Sequence, residues 1–331
     1  MPCKCVLILL DGLGDRSYAC LGHQTPLAAA HTPALDAIAD QGATGLYHAL
    51  RPGVALPSEI AHFAIFGYEP ADFPGRGPLE AIGSGIELEG GDVAVLAHFA
   101  SVRREGSNLR LVEDVPVVQA AEATKLFEAV RSFEGEGVRV ELHQTHKGFG
   151  VLRLQGPISP WVTDTGTMRA GRLLSEPLPL AEHADDAGSL RTARVLKAYL
   201  CMAHNRLRGL DLNRIRAGQG LLPINALVTQ RSGSLGRVRS FKDLNGLDGI
   251  LLADGAMFQG LARYVGLAFE PMDSGLDPER EIVQRLDRAR QLLTVYDFVH
   301  VHTKAPDKAS HAKDPLMKKT VIEALDRGLG A

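Results

Sequence analysis

Ser58 stands in the stretch PSEIAHFAIFGYEPADFPGRGPLEAIG, residues 57–83, with Pro57 before it, His62 four residues on and Gly75-Arg76-Gly77 beyond. Asp11 closes the apolar run CVLILLDG, and Asp307 and His311 stand four residues apart in KAPDKASHAKD. That spacing puts a carboxylate and an imidazole on one face if the segment turns helically. Oxygen and nitrogen donors of this kind suit Mn²⁺ or Zn²⁺. A metal ion beside Ser58 would lower its hydroxyl pKa and make it a nucleophile at neutral pH. Taken singly, each residue has an ordinary alternative. An Asp at a strand end serves as a turn or cap residue, and D-x-x-x-H recurs by chance.

The elements that must position these groups read as α/β. CVLILLDG (5–12) predicts a central strand of a parallel sheet, covered on both faces, with Asp11 at its C-terminal end, where ligands gather in open sheets. HTPALDAIADQG (31–42) predicts a helix capped by Thr32, with Pro33 in its first turn. Short alternating runs between about 98 and 160 (LRLVEDVPVV, VRVELHQT, GFGVLRLQG) predict antiparallel strands. From about 187 the helical period returns in SLRTARVLKAYLCMAHNRL; INALVTQ follows as a buried strand, and DGILLADGAMFQGLARYVGL as a strand then a helix. EREIVQRLDRARQLLTVYDFVHVHTKAPD gives helix, strand, loop. The expected organisation is an α/β core, residues 1–98 and 186–331, interrupted by a smaller β-rich insert, residues 99–185.

Composition narrows the class. With 331 residues, 45% hydrophobic, and a net charge of −3, the chain can bury a substantial core and lacks the basic excess of a nucleic-acid binder. No segment reaches the roughly 20 apolar residues of a membrane span. The N-terminus has no charged start or cleavage pattern, so a cytoplasmic protein is expected. Cys3, Cys5, Cys20 and Cys201 show neither metal-finger spacing nor a disulfide framework, and Cys3 and Cys5 alternate on the first strand as buried thiols. A homo-oligomer is left open.

Three segments together, LILLDGLGDR (7–16), PSEIAHFAIFGYEPADFPGRGPLEAIGSGIEL (57–88) and YDFVHVHTKAPDKASH (296–311), resemble the archaeal-type cofactor-independent phosphoglycerate mutases of the alkaline phosphatase superfamily. VTDTGTMRAG (162–171) and NRIRAGQGLLPINALVTQRSG (213–233) extend the likeness through the middle of the chain. The resemblance implies an alkaline-phosphatase-like core, a mostly parallel sheet flanked by helices and interrupted by an α+β insert that closes over it. It also implies two divalent metal ions, Mn²⁺ first, with Zn²⁺, Co²⁺ or Mg²⁺ as alternatives. Ser58 would accept the phosphoryl group and, with Asp11, bind one ion; Asp307 and His311 would bind the other. Such pairs, about 3.5–4 Å apart, stabilise the attacking and leaving oxygens of an in-line displacement. Phosphate would move between the 3- and 2-positions of glycerate through a phosphoserine.

A substrate carrying a phosphate and a carboxylate calls for arginines. Arg76, Arg169 and Arg214 are the candidates, against the alternative that each is a solvated surface side chain. Lys304 is a candidate phosphate contact, and Asp164 one for orienting a hydroxyl or shuttling a proton. His62 is expected behind the serine, with His300 and His302 as core or cleft residues.

The resemblance also implies three further ligands, an adjacent Asp-His pair on a later strand and a His beyond it. No Asp-His dipeptide occurs here, and the last histidine is His311. The expectation is a fragment of a longer protein. A natural short form that binds phosphate ligands without turnover, and completion by a partner chain, are the alternatives. Ser310 where the family has Gly, AKDP where it has an acidic run, and LVEDVPVV where it is arginine-rich leave open another phosphoester, handled by a related phosphatase or phosphotransferase.

Overall fold

The computed structural model describes residues 4–54, 56–275 and 277–331. The chain begins with β1 (Cys5–Leu10), α1 (Pro26–Ala29), α2 (Pro33–Gln41) and α3 (Ser58–Ile65). It continues through α4 (Arg76–Gly83), β2 (Val93–Glu105), β3 (Asn108–Glu113), α5 (Ala120–Ala129), β4 (Ser132–Gly135), β5 (Val138–His146) and β6 (Phe149–Gln155). Then come α6 (Ala187–Arg208), α7 (Asp211–Gly218) and β7 (Ala226–Gly233). The last stretch holds α8 (Phe241–Asn245), β8 (Gly249–Ala253), α9 (Ala256–Val265), β9 (Ala268–Pro271), α10 (Pro278–Leu292), β10 (Phe298–Thr303), α11 (Ala305–His311) and α12 (Pro315–Gly330).

These elements form two compact units, Met1–Phe73 with Val238–Ala331, and Pro74–Arg237. They are of nearly equal length, where the sequence suggested a smaller insert. The cuts expected at 98/99 and 185/186 both fall inside the second unit, the first within β2, whose ladder to β7 crosses that point.

The first unit is built on a parallel sheet of order β1-β10-β8-β9. β8 and β10 are central and buried along their whole length, which is why their sequences run apolar without alternation. β1 has the same apolar character but lies at the sheet edge, with Val6 39% and Ile8 37% exposed, so it is not the central strand expected. Its neighbour on one side is β10, in register Leu10↔Thr303. Cys5 opens this edge strand as an exposed thiol, and Cys20 and Cys201 are exposed as well, contrary to the expected burial. Cys3 lies outside the described residues.

Two buried polar clusters frame this sheet. Glu281 on α10 meets Arg285 at 3.1 Å and accepts the Thr303 hydroxyl at 2.5 Å, while Arg285 donates to the His302 carbonyl, so the end of β10 is tied to the helix beneath it. Asp326 of α12 accepts from the Ala34 and Leu35 N–H groups at 3.2 and 2.8 Å. It thereby caps α2, whereas Thr32, at the N-cap position, makes no capping bond to a backbone N–H, its hydroxyl donating instead to the Asp36 carboxylate at 3.4 Å.

In the second unit an antiparallel sheet of order β3-β2-β6-β5-β4, with β7 also on β2, packs against α5 and α6. β7, the INALVTQ strand, therefore belongs here and pairs with β2, outside the parallel sheet. No helix among the described residues is long and apolar enough to cross a membrane.

Candidate functional site

Five of the candidate residues lie in the first unit, at the C-terminal ends of two neighbouring strands. Asp11 follows β1, and its N–H donates to the Thr303 carbonyl at 3.0 Å, continuing the parallel ladder by one step. Lys304 follows β10 and leads into α11, which carries Asp307 and His311. Gly12 makes the two turns meet. It has φ +81°, and a Cβ there would lie 2.5 Å from the Cα of Asp307, so only glycine lets the Asp11 turn pack on the backbone of α11.

Ser58 is the first residue of α3. Its Oγ donates to Asp11 Oδ2 at 3.1 Å. His302 Nε2 stands 3.5 Å from the same oxygen, too far for a good hydrogen bond and close enough to act electrostatically. Burial alone would raise the Asp11 pKa. The His302 ring, the Ser58 hydroxyl and, more remotely, His62 outweigh that and hold the carboxyl below its ordinary range. An ionised carboxylate only accepts, so the Ser58 proton points at Asp11 and the oxygen lone pairs are left facing elsewhere. The helix N-terminus at Ser58 also favours negative charge on that side chain.

Behind the serine lie three buried imidazoles. His62 Nδ1 is 2.7 Å from the Ser58 carbonyl, and His300 Nδ1 is 3.1 Å from that of Leu7. Burial, followed by the charge of His302, pushes His62 down to about 3. Burial also drives His300 well below the ordinary histidine value and lowers His302. Burial thus favours the neutral form of each ring, and among the described residues the Nε2 of each lacks a hydrogen-bond partner.

The second pair of expected donors is looser. Asp307 Oδ1 and His311 Nε2 are 3.7 Å apart on α11, as their spacing predicts, but the His311 side chain is 82% exposed. Lys304 Nζ lies 5.3 Å from the Phe258 ring centroid, a cation–π contact that holds it beside the β10 end. The donor types suit a divalent cation, yet no group of three or more His, Cys, Asp or Glu among the described residues is arranged to hold one. As they stand, these residues fall short of a metal centre.

The remaining candidates lie in the second unit. Arg76 begins α4, with its Nε 3.7 Å from Glu80, and lines a cavity of about 260 Å³ together with His98, His146 and Arg231. The Gly-Arg-Gly stretch has a packing reason: a Cβ at Gly77 would collide with the Ala94 carbonyl of β2. Asp164 Oδ1 accepts the Arg231 N–H at 2.7 Å, bracing a residue held at φ +57°. That bond braces the backbone of β7 and leaves the other carboxylate oxygen outside it. Met168 lines the cavity and the adjacent Arg169 is exposed. Arg214 does not join them; it sits on α7, 85% exposed and paired with Asp211 at 2.9 Å.

Sequence reasoning passed over Arg231 and His98. Arg231 carried no signal beyond its place in the strand TQRSG. His98, whose Nε2 is 3.1 Å from Asp114, lies in a run of buried β2 residues that reads as core.

A family model of the 2,3-bisphosphoglycerate-independent phosphoglycerate mutases matches residues 39–213. The phosphoglycerate mutase 1 of that type from Archaeoglobus fulgidus is 36% identical over 325 residues, 97% of this chain and 78% of that one. Mutase 2 from Methanocaldococcus jannaschii is 32% identical over 338 residues, 99% of this chain and 76% of that one. Among solved structures, a cofactor-independent phosphoglycerate mutase from Thermoplasma acidophilum is similar with a TM-score of 0.64 and 28% identity, covering 99% of this chain and 82% of that one. A Pyrococcus horikoshii protein gives 0.77 and 26%, covering 100% of this chain and 78% of that one. The chain belongs to the 2,3-bisphosphoglycerate-independent phosphoglycerate mutase family.

Proposed function

We propose that the chain interconverts 3-phosphoglycerate and 2-phosphoglycerate, with Ser58 as the phosphoryl acceptor. The observation that carries this is the Ser58–Asp11 pair at the head of α3, found in a chain whose relatives are named for that reaction. Ser58 Oγ would attack the substrate phosphorus, forming the Oγ–P bond as the bond from phosphorus to the glycerate oxygen breaks, with the serine proton ending on that departing oxygen. The freed hydroxyl group then reorients, and the other glycerate oxygen takes the phosphoryl group back. Asp11, kept ionised, orients the serine hydroxyl, and the positive end of α3 favours the resulting phosphoserine. Lys304 would add a point charge for phosphate; Arg76, in the second unit, carries the planar fork that suits phosphate or carboxylate.

Two divalent ions, Mn²⁺ first, belong to the proposal, with Asp11 and Ser58 toward one and Asp307 and His311 toward the other. Because the described residues fall short of a complete shell, metal binding is a separate question, answered by metal content after loading with Mn²⁺ and removing the excess. About two ions per chain supports the two-metal arrangement; none refutes it for this chain. The same shortfall favours a second reading, a chain that binds phosphate ligands without turning them over.

The test is conversion of 3-phosphoglycerate in the absence of bisphosphoglycerate. Ser58→Ala should lower it by at least about a thousandfold, as loss of a nucleophile does elsewhere. Turnover surviving that substitution would refute the serine's role. Tight binding with no turnover in the unmodified chain would favour the second reading. Consumption of some other phosphoester, with phosphoglycerate inert, would point to a related phosphatase or phosphotransferase.

A further inference from the structure

We propose that His62 is a positioning residue for Ser58, its Nδ1–H clamping the serine carbonyl so that the first turn of α3 aims Oγ at Asp11. The inference rests on the reading of Ser58 as phosphoryl acceptor.

The hydrogen-bond pattern fixes the tautomer. His62 Nδ1 lies 2.7 Å from the Ser58 carbonyl oxygen, and a carbonyl only accepts, so the proton is on Nδ1 and Nε2 carries a lone pair. That lone pair has no partner among the described residues, although His62 is 1% exposed. A buried acceptor without a donor is costly, and a phenylalanine would fill the same space without that cost. What the imidazole supplies that a phenyl ring cannot is the single bond to Ser58.

The ring is also held still. His302 meets it edge to face at 4.6 Å and 86°, Phe258 at 4.8 Å and 63°, and His300 at 5.4 Å. Ser58 is thereby gripped at two points, its hydroxyl by Asp11 and its carbonyl by an imidazole that cannot swing away. Asp11 is fixed independently through its N–H to Thr303. Hydroxyl and carboxylate thus approach each other from two separately anchored pieces of backbone. Loosening one anchor would widen the range of directions the nucleophile samples without touching substrate contacts.

Four proteins test this: the unsubstituted chain, Ser58→Ala, His62→Phe, which keeps a ring and loses the donor, and His62→Asn, which offers an amide N–H near the Nδ1 position. With 3-phosphoglycerate and Mn²⁺, His62→Phe should lose about 10- to 100-fold in kcat with KM changed less than about twofold, the size expected from a small misplacement of a reacting group. His62→Asn should regain most of that loss. A kcat for His62→Phe equal to that of the unsubstituted chain, while Ser58→Ala is inactive, overturns the positioning role and leaves the proposed function intact. Full turnover by Ser58→Ala overturns both. A readout independent of activity and of variant folding is the nitrogen-15 NMR signature of the His62 ring in the unsubstituted chain. A protonated Nδ1 and a bare Nε2 are expected; the opposite tautomer ends the proposal.

Discussion

Asp11–Ser58 and Asp307–His311 are built from similar parts. Each joins a carboxylate to a second donor just past the C-terminal end of one of two adjacent parallel strands. Their surroundings differ sharply. Ser58 and Asp11 share a 3.1 Å hydrogen bond and rest on three buried imidazoles. Asp307 and His311 face each other at 3.7 Å on a short helix, with the imidazole almost wholly in solvent. Residue type and spacing therefore place donors, whereas burial and second partners decide which of them are held in one geometry. The first pair is held by the buried rings beneath it; the second has its groups at hand and its imidazole in solvent.

The largest effect that sharpens this contrast comes from substituting each half in turn. Asp11→Asn should cut turnover of 3-phosphoglycerate by about 100-fold, in the range for removing one electrostatic partner at a reacting centre. His311→Ala should cost about tenfold or less, since an exposed side chain held by one long contact contributes little. Steady-state rates of the two variants give the ratio. A larger loss at His311 would reverse the comparison and place the organised half on α11.

A smaller effect, on stability, comes from the imidazoles under Ser58. His62, His300 and His302 all have lowered pKa values, His62 to about 3, chiefly through burial. An unfolded chain takes up protons below the ordinary histidine value of about 6.5, while the folded rings refuse them. Stability is thus fully present above that value and declines as pH falls toward the folded pKa, by up to ~1.4 kcal/mol per pH unit for each ring. Urea unfolding at about pH 7 and about pH 5 should show a lower midpoint at the acid end, with a shallower drop in His62→Phe. A midpoint unmoved across that window would mean that the rings are not buried as neutral species.

The smallest effect concerns the arginines. Arg214, exposed and paired with Asp211, should be replaceable by Ala with KM and kcat both within about twofold, as for most surface ion pairs. Arg76→Ala, at the cavity, should raise KM several-fold. Equal effects of the two substitutions would remove the cavity from the account.

Much of this was readable from the chain before any coordinates. The strand ends at Asp11 and Lys304 and the helical turn that aligns Asp307 with His311 follow from apolar runs and local spacing, whereas the helix that begins at Ser58 was not read from the sequence. What escaped the sequence depends on distant partners. CVLILL and FVHVHT read alike as buried strands, yet β1 is an edge and β10 a centre, because that distinction rests on which strands pair beyond each. Thr32 has the chemistry of a cap, but Asp326, nearly three hundred residues away, occupies the role. The hold of the Asp164 carboxylate on the Arg231 N–H, 67 residues on, likewise has no signal in the sequence. INALVTQ carries no mark that it belongs with β2.

The most direct test of the central claim is to mix the chain with 3-phosphoglycerate and Mn²⁺, quench with acid during turnover, and locate phosphate by peptide mass. One phosphoryl group on Ser58, absent from Ser58→Ala, is the predicted result. Substrate conversion with Ser58 unmodified throughout, or with phosphate on another residue, would contradict it.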